Sequence, residues 1–331
     1  MVGKIKAKSI FVLLCLLPAS WLFAQSKGTS ESPPYTISLN VDLVVLDVTV
    51  VDGHGKFLPG LGSQHFKIYE DGHEEKISYF LSKDVPATIG VVIDNSGSLR
   101  RKRAEIVAAA MAFVEGSNPH DEMFIVHFNE NVTFGLPPGE PFTNNPLQLR
   151  AALLRMAPAG QTALYDAVSR ASIHATKGKP NRRALLVISD GGDNASHAGL
   201  KETLQIVRSS NVVLYTISLS DPSNRDQKPG VLRKLSKTSG GESFFPKELR
   251  EVGPLCQTIA TSIRNQYLLA YRPSNAKRDG TFRRVRVTVH FPNQKNLAVR
   301  TREGYLAPNE DDARSSGSGI QGETDSEPLK R

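Results

Sequence analysis

The chain has 331 residues, 39% of them hydrophobic and 22% charged, with a formal net charge of +8. These proportions place it among ordinary globular proteins, with room for one large domain or two unequal ones, and exclude a chain too poor in apolar residues to build a core. Of its two cysteines, Cys15 lies in the N-terminal apolar run, so once that run is removed Cys256 has no partner for an internal disulfide.

Lys4, Lys6 and Lys8 precede an apolar run from Ile10 to Leu17, then Pro18 and Ala19-Ser20-Trp21-Leu22-Phe23-Ala24 before polar Gln25. This order predicts a secretory signal peptide over residues 1–24, cleaved near Ala24. The run is too short, and too broken by Pro18, for the roughly 20 apolar residues of a membrane span. Lipidation at Cys15 would want a small residue where Leu14 stands. The mature protein is therefore expected to be exported, periplasmic or extracellular, with no transmembrane segment. Loss of the three lysines leaves a charge of +5. From Arg264 to Tyr305 ten Lys or Arg face only Asp279 and Glu303. In alternating strands such a stripe reads as a solvated face, and export argues against a nucleic-acid partner.

Residues 25–36 are rich in Ser and Pro and read as a flexible leader. An N-terminal β segment follows over 37–84. It holds a strand over Val41–Val51, a turn at Asp52-Gly53-His54-Gly55, a strand at Phe66–Tyr69, and a tight turn at Asp71-Gly72 leading to Lys76–Phe80. Between residues 85 and 263 the pattern alternates. Strands are expected at Ala87–Ile93, Met123–Phe128, Ala184–Ser189, Val212–Ser218 and Glu242–Phe245, with a short antiparallel edge at Val132–Leu136. Helices are expected at Arg103–Val114, Leu147–Met156, Thr162–Thr176, Leu200–Ser209, Val231–Ser239 and Val252–Ile263. Strands separated by helices imply right-handed crossovers and a mostly parallel α/β sheet. Cys256, within the last helix, reads as a small core residue. A C-terminal β segment spans 264–307, with strands at Tyr267–Tyr271, Phe282–Phe291 and Leu297–Arg302. The Gly-, Ser- and acid-rich stretch 308–331 reads as disordered. The two flanking β segments are expected to pair into one β-sandwich, with contacts between Leu43–Val48 and Val285–Val289.

Asp94 ends a buried strand, and ligands of an open α/β sheet gather at the carboxyl ends of its strands. The run Asp94-Asn95-Ser96-Gly97-Ser98 supplies one carboxylate and two hydroxyls within a turn. Thr162 lies where a helix begins, and Asp190 follows the strand ending at Ser189. All five donors are hard oxygens, suited to magnesium, calcium or manganese, and no His or Cys cluster competes. Asp193, in Gly191-Gly192-Asp193-Asn194, either tunes that site from behind or serves the turn. Singly, Asp94, Ser96, Ser98 and Thr162 also suit a helix N-cap.

Asp94-x-Ser96-x-Ser98, Thr162 and Asp190, in that order on alternating strands and helices, resemble the von Willebrand factor type A domain and its metal-ion-dependent adhesion site. The resemblance covers about Val85 to Ile263 and is closest to bacterial exported proteins with a related domain. It implies a doubly wound sheet with one antiparallel edge. It also implies direct metal ligation by Ser96 and Ser98, ligation by Thr162 in the ligand-occupied state, and ligation by Asp94 and Asp190 directly or through water. The ion, most simply Mg2+, would keep one open position for an Asp or Glu carboxylate of a protein partner. The expected function is thus metal-dependent protein binding in adhesion or assembly of an envelope complex, with no enzymatic activity. Its rivals are an accessory or regulatory subunit of an envelope enzyme and a phosphoryl-transfer enzyme using Asp94 as nucleophile, although Ser96 stands where that chemistry wants a second Asp. No Gly-x-Ser-x-Gly elbow supports a serine hydrolase.

Overall fold

A computed structural model of the chain describes residues 43–155, 159–219, 227–292, 294 and 296–309. The expected signal peptide, the expected leader and the stretch beyond Asn309 lie outside them. Among the described residues no helix is long and apolar enough to cross a membrane.

β-Branched alternation starts the described chain. In β1 (Val44–Val51) the side chains of Val44, Leu46, Val48 and Val50 are buried on one face. β2 (Phe66–Glu70) and β3 (His73–Glu75) form a hairpin about Asp71-Gly72, both at positive φ as the two-residue turn requires. The strand that follows this turn is thus His73–Glu75, not the expected Lys76–Phe80. β4 (Ile77–Leu81) begins two residues later and joins a different sheet, because a strand cannot serve both hairpin and second sheet without a break at Lys76.

All eight residues of β5 (Ala87–Asp94) are buried, as a central parallel strand covered on both faces should be. Then come α1 (Arg103–Gly116), β6 (Glu122–Phe128), β7 (Val132–Phe134), α2 (Pro146–Leu154), α3 (Leu164–Ala175), β8 (Arg182–Ser189), α4 (Leu200–Ser210), β9 (Val213–Ser218), α5 (Pro229–Ser239), β10 (Ser243–Phe244) and α6 (Val252–Arg264). The sheet runs β10-β9-β8-β5-β6-β7, parallel except where β7 runs against β6. Helix α1 packs on α2 and α6, and α4 packs on α3 and α5. Chain order moves outward from β5 through β6, then returns to β8 on its other side. That reversal sits between β5 and β8, and it opens a crevice at their carboxyl ends. Cys256 is buried in α6, where burial pushes its thiol up to about 12 and keeps it unreactive at neutral pH.

β11 (Tyr267–Tyr271), β12 (Phe282–Val289), β13 (Ala298–Arg300) and β14 (Gly304–Leu306) complete the chain. The three-residue β14 was not legible, being too short to display alternation. These strands interleave with the N-terminal ones in two four-stranded sheets, β13-β1-β11-β4 and β14-β12-β2-β3. Val44, Leu46 and Val48 of one sheet share a hydrophobic cluster with Val285 and Val287 of the other, around Tyr267 and Tyr271. The basic stripe is not uniformly solvated. Arg284 and Arg286 face outward, whereas Arg283 is buried, paired with Glu70 at 3.3 Å and donating to the carbonyls of Asn275 and Lys277. Inward and outward arginines differ by one residue because a strand turns successive side chains to opposite faces.

Candidate metal centre

The centre begins where β5 stops. Asp94 is buried, and its carboxylate accepts a hydrogen bond from the Ser96 N–H at 2.8 Å and from the Ser189 hydroxyl at 2.8 Å. Burial pushes this carboxyl up to about 6, hydrogen bonds from the Ser96 hydroxyl, the Ser96 N–H and the Ser189 hydroxyl oppose the rise, and the nearby Asp190 charge adds to it. The backbone then turns into a 310 helix over Gly97–Lys102. Ser96 is its N-cap residue but makes no side-chain capping bond. Its Oγ instead lies 3.0 Å from Ser98 Oγ, and Ser98 Oγ donates to Asp190 Oδ2 at 3.4 Å. Asp94, Ser96, Ser98, Ser189 and Asp190 therefore form one connected oxygen cluster.

Asp190 is buried at the end of β8, and its other oxygen accepts the Gly192 N–H at 3.0 Å. Thr162 is tied through its backbone to the loop that follows Asp190. Its N–H donates to Asn194 Oδ1 at 2.9 Å, and its carbonyl accepts from Asn194 at 3.0 Å and Ala195 at 3.1 Å. The preceding turn is tied to the first loop by Ala159 N–H to the Asn95 carbonyl (2.9 Å) and Gly97 N–H to the Gly160 carbonyl (3.3 Å). Thr162 is also not a cap, since the N-cap of α3 is Ala163. The start of α3 is served from across the chain by Asp193, whose carboxylate accepts the Tyr165 N–H at 2.9 Å and the Ser196 hydroxyl at 2.6 Å.

Behind the first loop lies a buried relay that sequence reasoning treated as turn and packing chemistry. Asn95 is fully buried, and its Nδ2 lies 2.7 Å from His127 Nδ1 while its Oδ1 accepts from Arg103. The other ring nitrogen of His127 lies 2.8 Å from the Ala152 carbonyl, and Arg103 also donates to the Leu153 carbonyl at 2.5 Å. An amide nitrogen only donates and a carbonyl only accepts, so His127 is neutral with its proton on Nε2. Burial lowers its pKa to about 4; the Ala152 carbonyl opposes that and the Arg103 charge adds to it. The available signal was register: His127 stands beside Ile93 in the β5–β6 ladder, one residue from Asp94.

Among the described residues no group of three or more His, Cys, Asp or Glu forms a metal cage. The candidate oxygen set differs, with the carboxylates of Asp94 and Asp190 beside the hydroxyls of Ser96 and Ser98. It fits a hard divalent cation on physical grounds. Asp94 and Asp190 are both buried, and burial together with the Asp190 charge raises the Asp94 carboxyl, so a cation held here would favour its ionised form. The hydroxyls of Ser96, Ser98 and Thr162 are not spent on capping.

Residues 89–192 match the family model of the von Willebrand factor type A domain. No curated protein matches the chain in sequence. Among solved structures, a von Willebrand factor type A protein from Catenulispora acidiphila shares 12% identity over 82% of this chain and 75% of that one, with a TM-score of 0.49. Proximal thread matrix protein 1 from the mussel byssus, with a zinc-occupied MIDAS motif, shares 16% identity over 55% of this chain and 48% of its own, at 0.44. An aerotolerance-related membrane protein from Bacteroides fragilis shares 16% over 54% of this chain and 98% of that one, at 0.41. The chain thus spans about half the mussel protein.

Proposed function

We propose that this chain, which carries a von Willebrand factor type A domain at residues 89–192, is an exported protein-binding module whose partner is captured through a divalent cation. Asp94, Ser96, Ser98, Thr162 and Asp190 hold the ion, and its open coordination position takes a carboxylate oxygen from an Asp or Glu of the partner. The observation that carries this reading is the convergence of the buried Asp94 and Asp190 carboxylates and Ser96 hydroxyl with the exposed Ser98 hydroxyl in one cluster at the switch point of the sheet. Mg2+ suits this hard oxygen set best, with Ca2+ and Mn2+ as competitors. Export rests on the charged and apolar order of residues 1–24. The two flanking four-stranded sheets are read as the faces of one β-sandwich on which the module is carried, in adhesion or envelope assembly. The reading is one of binding rather than catalysis, with the side chains of the centre serving as ion ligands or their supports.

Calorimetric titration with MgCl2 tests the proposal. One ion binds the wild-type chain, and Ser96→Ala weakens it by tenfold or more, about 1.4 kcal/mol, with the thermal midpoint held within a few degrees. Heat of dilution alone from the wild type would reject the metal centre and leave the five residues as turn chemistry.

A further inference from the structure

The rim of the centre is more basic than a site for a lone carboxylate needs. Directly after Ser98 the chain reads Leu99-Arg100-Arg101-Lys102-Arg103. The 310 helix over Gly97–Lys102 sorts these side chains, because residues three apart lie on one edge. Leu99 is buried, and Lys102 on its edge reaches back to the Leu219 carbonyl at 3.4 Å. Arg103 is spent on Asn95 and Leu153. Arg101 instead shares an edge with Ser98, one turn away, and Ser98, Arg100 and Arg101 are all exposed.

A further cation stands on the other side. The carbonyl of Lys228 packs so close to Gly191 that a Cβ there would meet it at 2.7 Å, and Gly191 adjoins Asp190. The Lys228 side chain is exposed at the head of α5. On the third side Glu130 is exposed and accepts the Gln161 N–H at 3.0 Å, while Asp193 is turned to α3. Among the described residues, Arg100, Arg101 and Lys228 are therefore exposed on the segments that adjoin the centre, with Glu130 as an acidic counterweight. Exposed cations on the segments that adjoin a cation site do not help to hold the ion, so they are better explained by what arrives with the ligand than by the metal.

We propose that the partner is an acidic protein segment in which the metal-binding carboxylate is flanked by further Asp or Glu residues, read by Arg100, Arg101 and Lys228. This rests on the metal-dependent reading above and narrows it. Exposed charge pairs contribute little singly and are screened by salt, so the rim adds selectivity and a faster encounter rather than replacing the metal bond.

The test uses the full chain and two fluorescent peptides, one with a single Asp among Gly and Ser, the other with that Asp flanked by four Glu. In saturating MgCl2 at low salt the clustered peptide binds roughly tenfold more tightly, and the advantage shrinks in 0.5 M NaCl, where the screening length falls to about 4 Å. Arg100→Gln with Arg101→Gln removes most of the advantage, while Mg2+ affinity is retained or rises because cations have been removed from beside the ion. Equal affinity for the two peptides, or an advantage that survives in the double variant, overturns the proposal while leaving the metal centre standing. Mg2+ uptake with neither peptide bound overturns it together with the carboxylate-partner reading, and absent Mg2+ uptake removes the centre itself.

Discussion

At the residue scale the centre depends on atoms that never touch the ion. Asn95 occupies a position that spacing alone marks as a turn filler, yet it is tied to His127 and Arg103, and these reach the end of α2 through Ala152 and Leu153. The neutral state of His127 is a condition of that relay, since a protonated Nδ1 would face the Asn95 amide donor. Its folded pKa, about 4, lies below the ordinary 6.5 of an unfolded histidine. Between these values the unfolded chain binds the extra proton, so this group removes stability as pH falls. The sign is opposite for Asp94 and Asp121, whose carboxyls burial raises to about 6, so the net curve mixes the two kinds of group. His127→Gln isolates the histidine: between pH 7 and pH 5 the wild type loses roughly 2 kcal/mol more than the variant in urea unfolding. Parallel pH curves for the two proteins would show that His127 is not held neutral.

At the element scale the site depends on how closely the head of α5 approaches the loop after β8. Gly191 makes this possible in two ways. Its φ is +82°, which disfavours a side chain, and an added Cβ would meet the Lys228 carbonyl at 2.7 Å. Gly191→Ala is expected to lower the urea midpoint by an amount equivalent to about 2 kcal/mol, with an unchanged m-value. A loss below about 0.5 kcal/mol would mean that α5 gives way without cost. The helices themselves were legible in outline, because the apolar faces of α3, α4, α5 and α6 repeat at helical spacing. Their ends were less so. Thr162 was read as the first residue of its helix, whereas α3 begins at Leu164, since Asp193 and not a local hydroxyl supplies the acceptor for the exposed Tyr165 N–H.

At the scale of the whole described structure, the α/β sheet and the β1 sheet are joined by a buried ion pair. Arg182, at the start of β8, meets Asp47 of β1 at 3.3 Å and also donates to the carbonyls of Ile263 (3.2 Å) and Gln266 (3.3 Å). Burial raises the Asp47 pKa even with Arg182 lowering it, so desolvation outweighs the attraction. The pair therefore fixes how the two parts meet more than it stabilises them. Asp47→Ala strands a guanidinium that is only 1% exposed and should cost about 3 kcal/mol in equilibrium unfolding. Asp47→Leu combined with Arg182→Met should recover most of it. A single variant as stable as wild type would show that water or the two carbonyls suffice for Arg182. A second link, Arg300 to Glu242 at 2.6 Å, is only partly buried and carries less weight.

The amino-acid sequence by itself determined the periodic features: the continuous burial of β5, β6, β8 and β9, the crossover helices between them, and the placing of Asp94 and Asp190 at strand ends. Burial and periodicity are local properties that each segment states about itself. The candidate ligands were singled out as oxygen-bearing residues, Asp94, Ser96, Ser98 and Asp190 at those ends and Thr162 ahead of a helix, and their binding of an ion is the proposal. Only the tertiary structure decided the rest, namely which strands of the flanking segments share a sheet, that Arg283 turns inward to Glu70 while Arg284 and Arg286 turn out, and that Ser189, Asn95, His127 and Arg103 support the Asp94 loop. Apart from the Asn95–Arg103 bond, 8 positions apart, these depend on pairings between residues 32 to more than 200 positions apart, and a hydrogen-bonding side chain carries no mark of which distant partner the fold will bring to it.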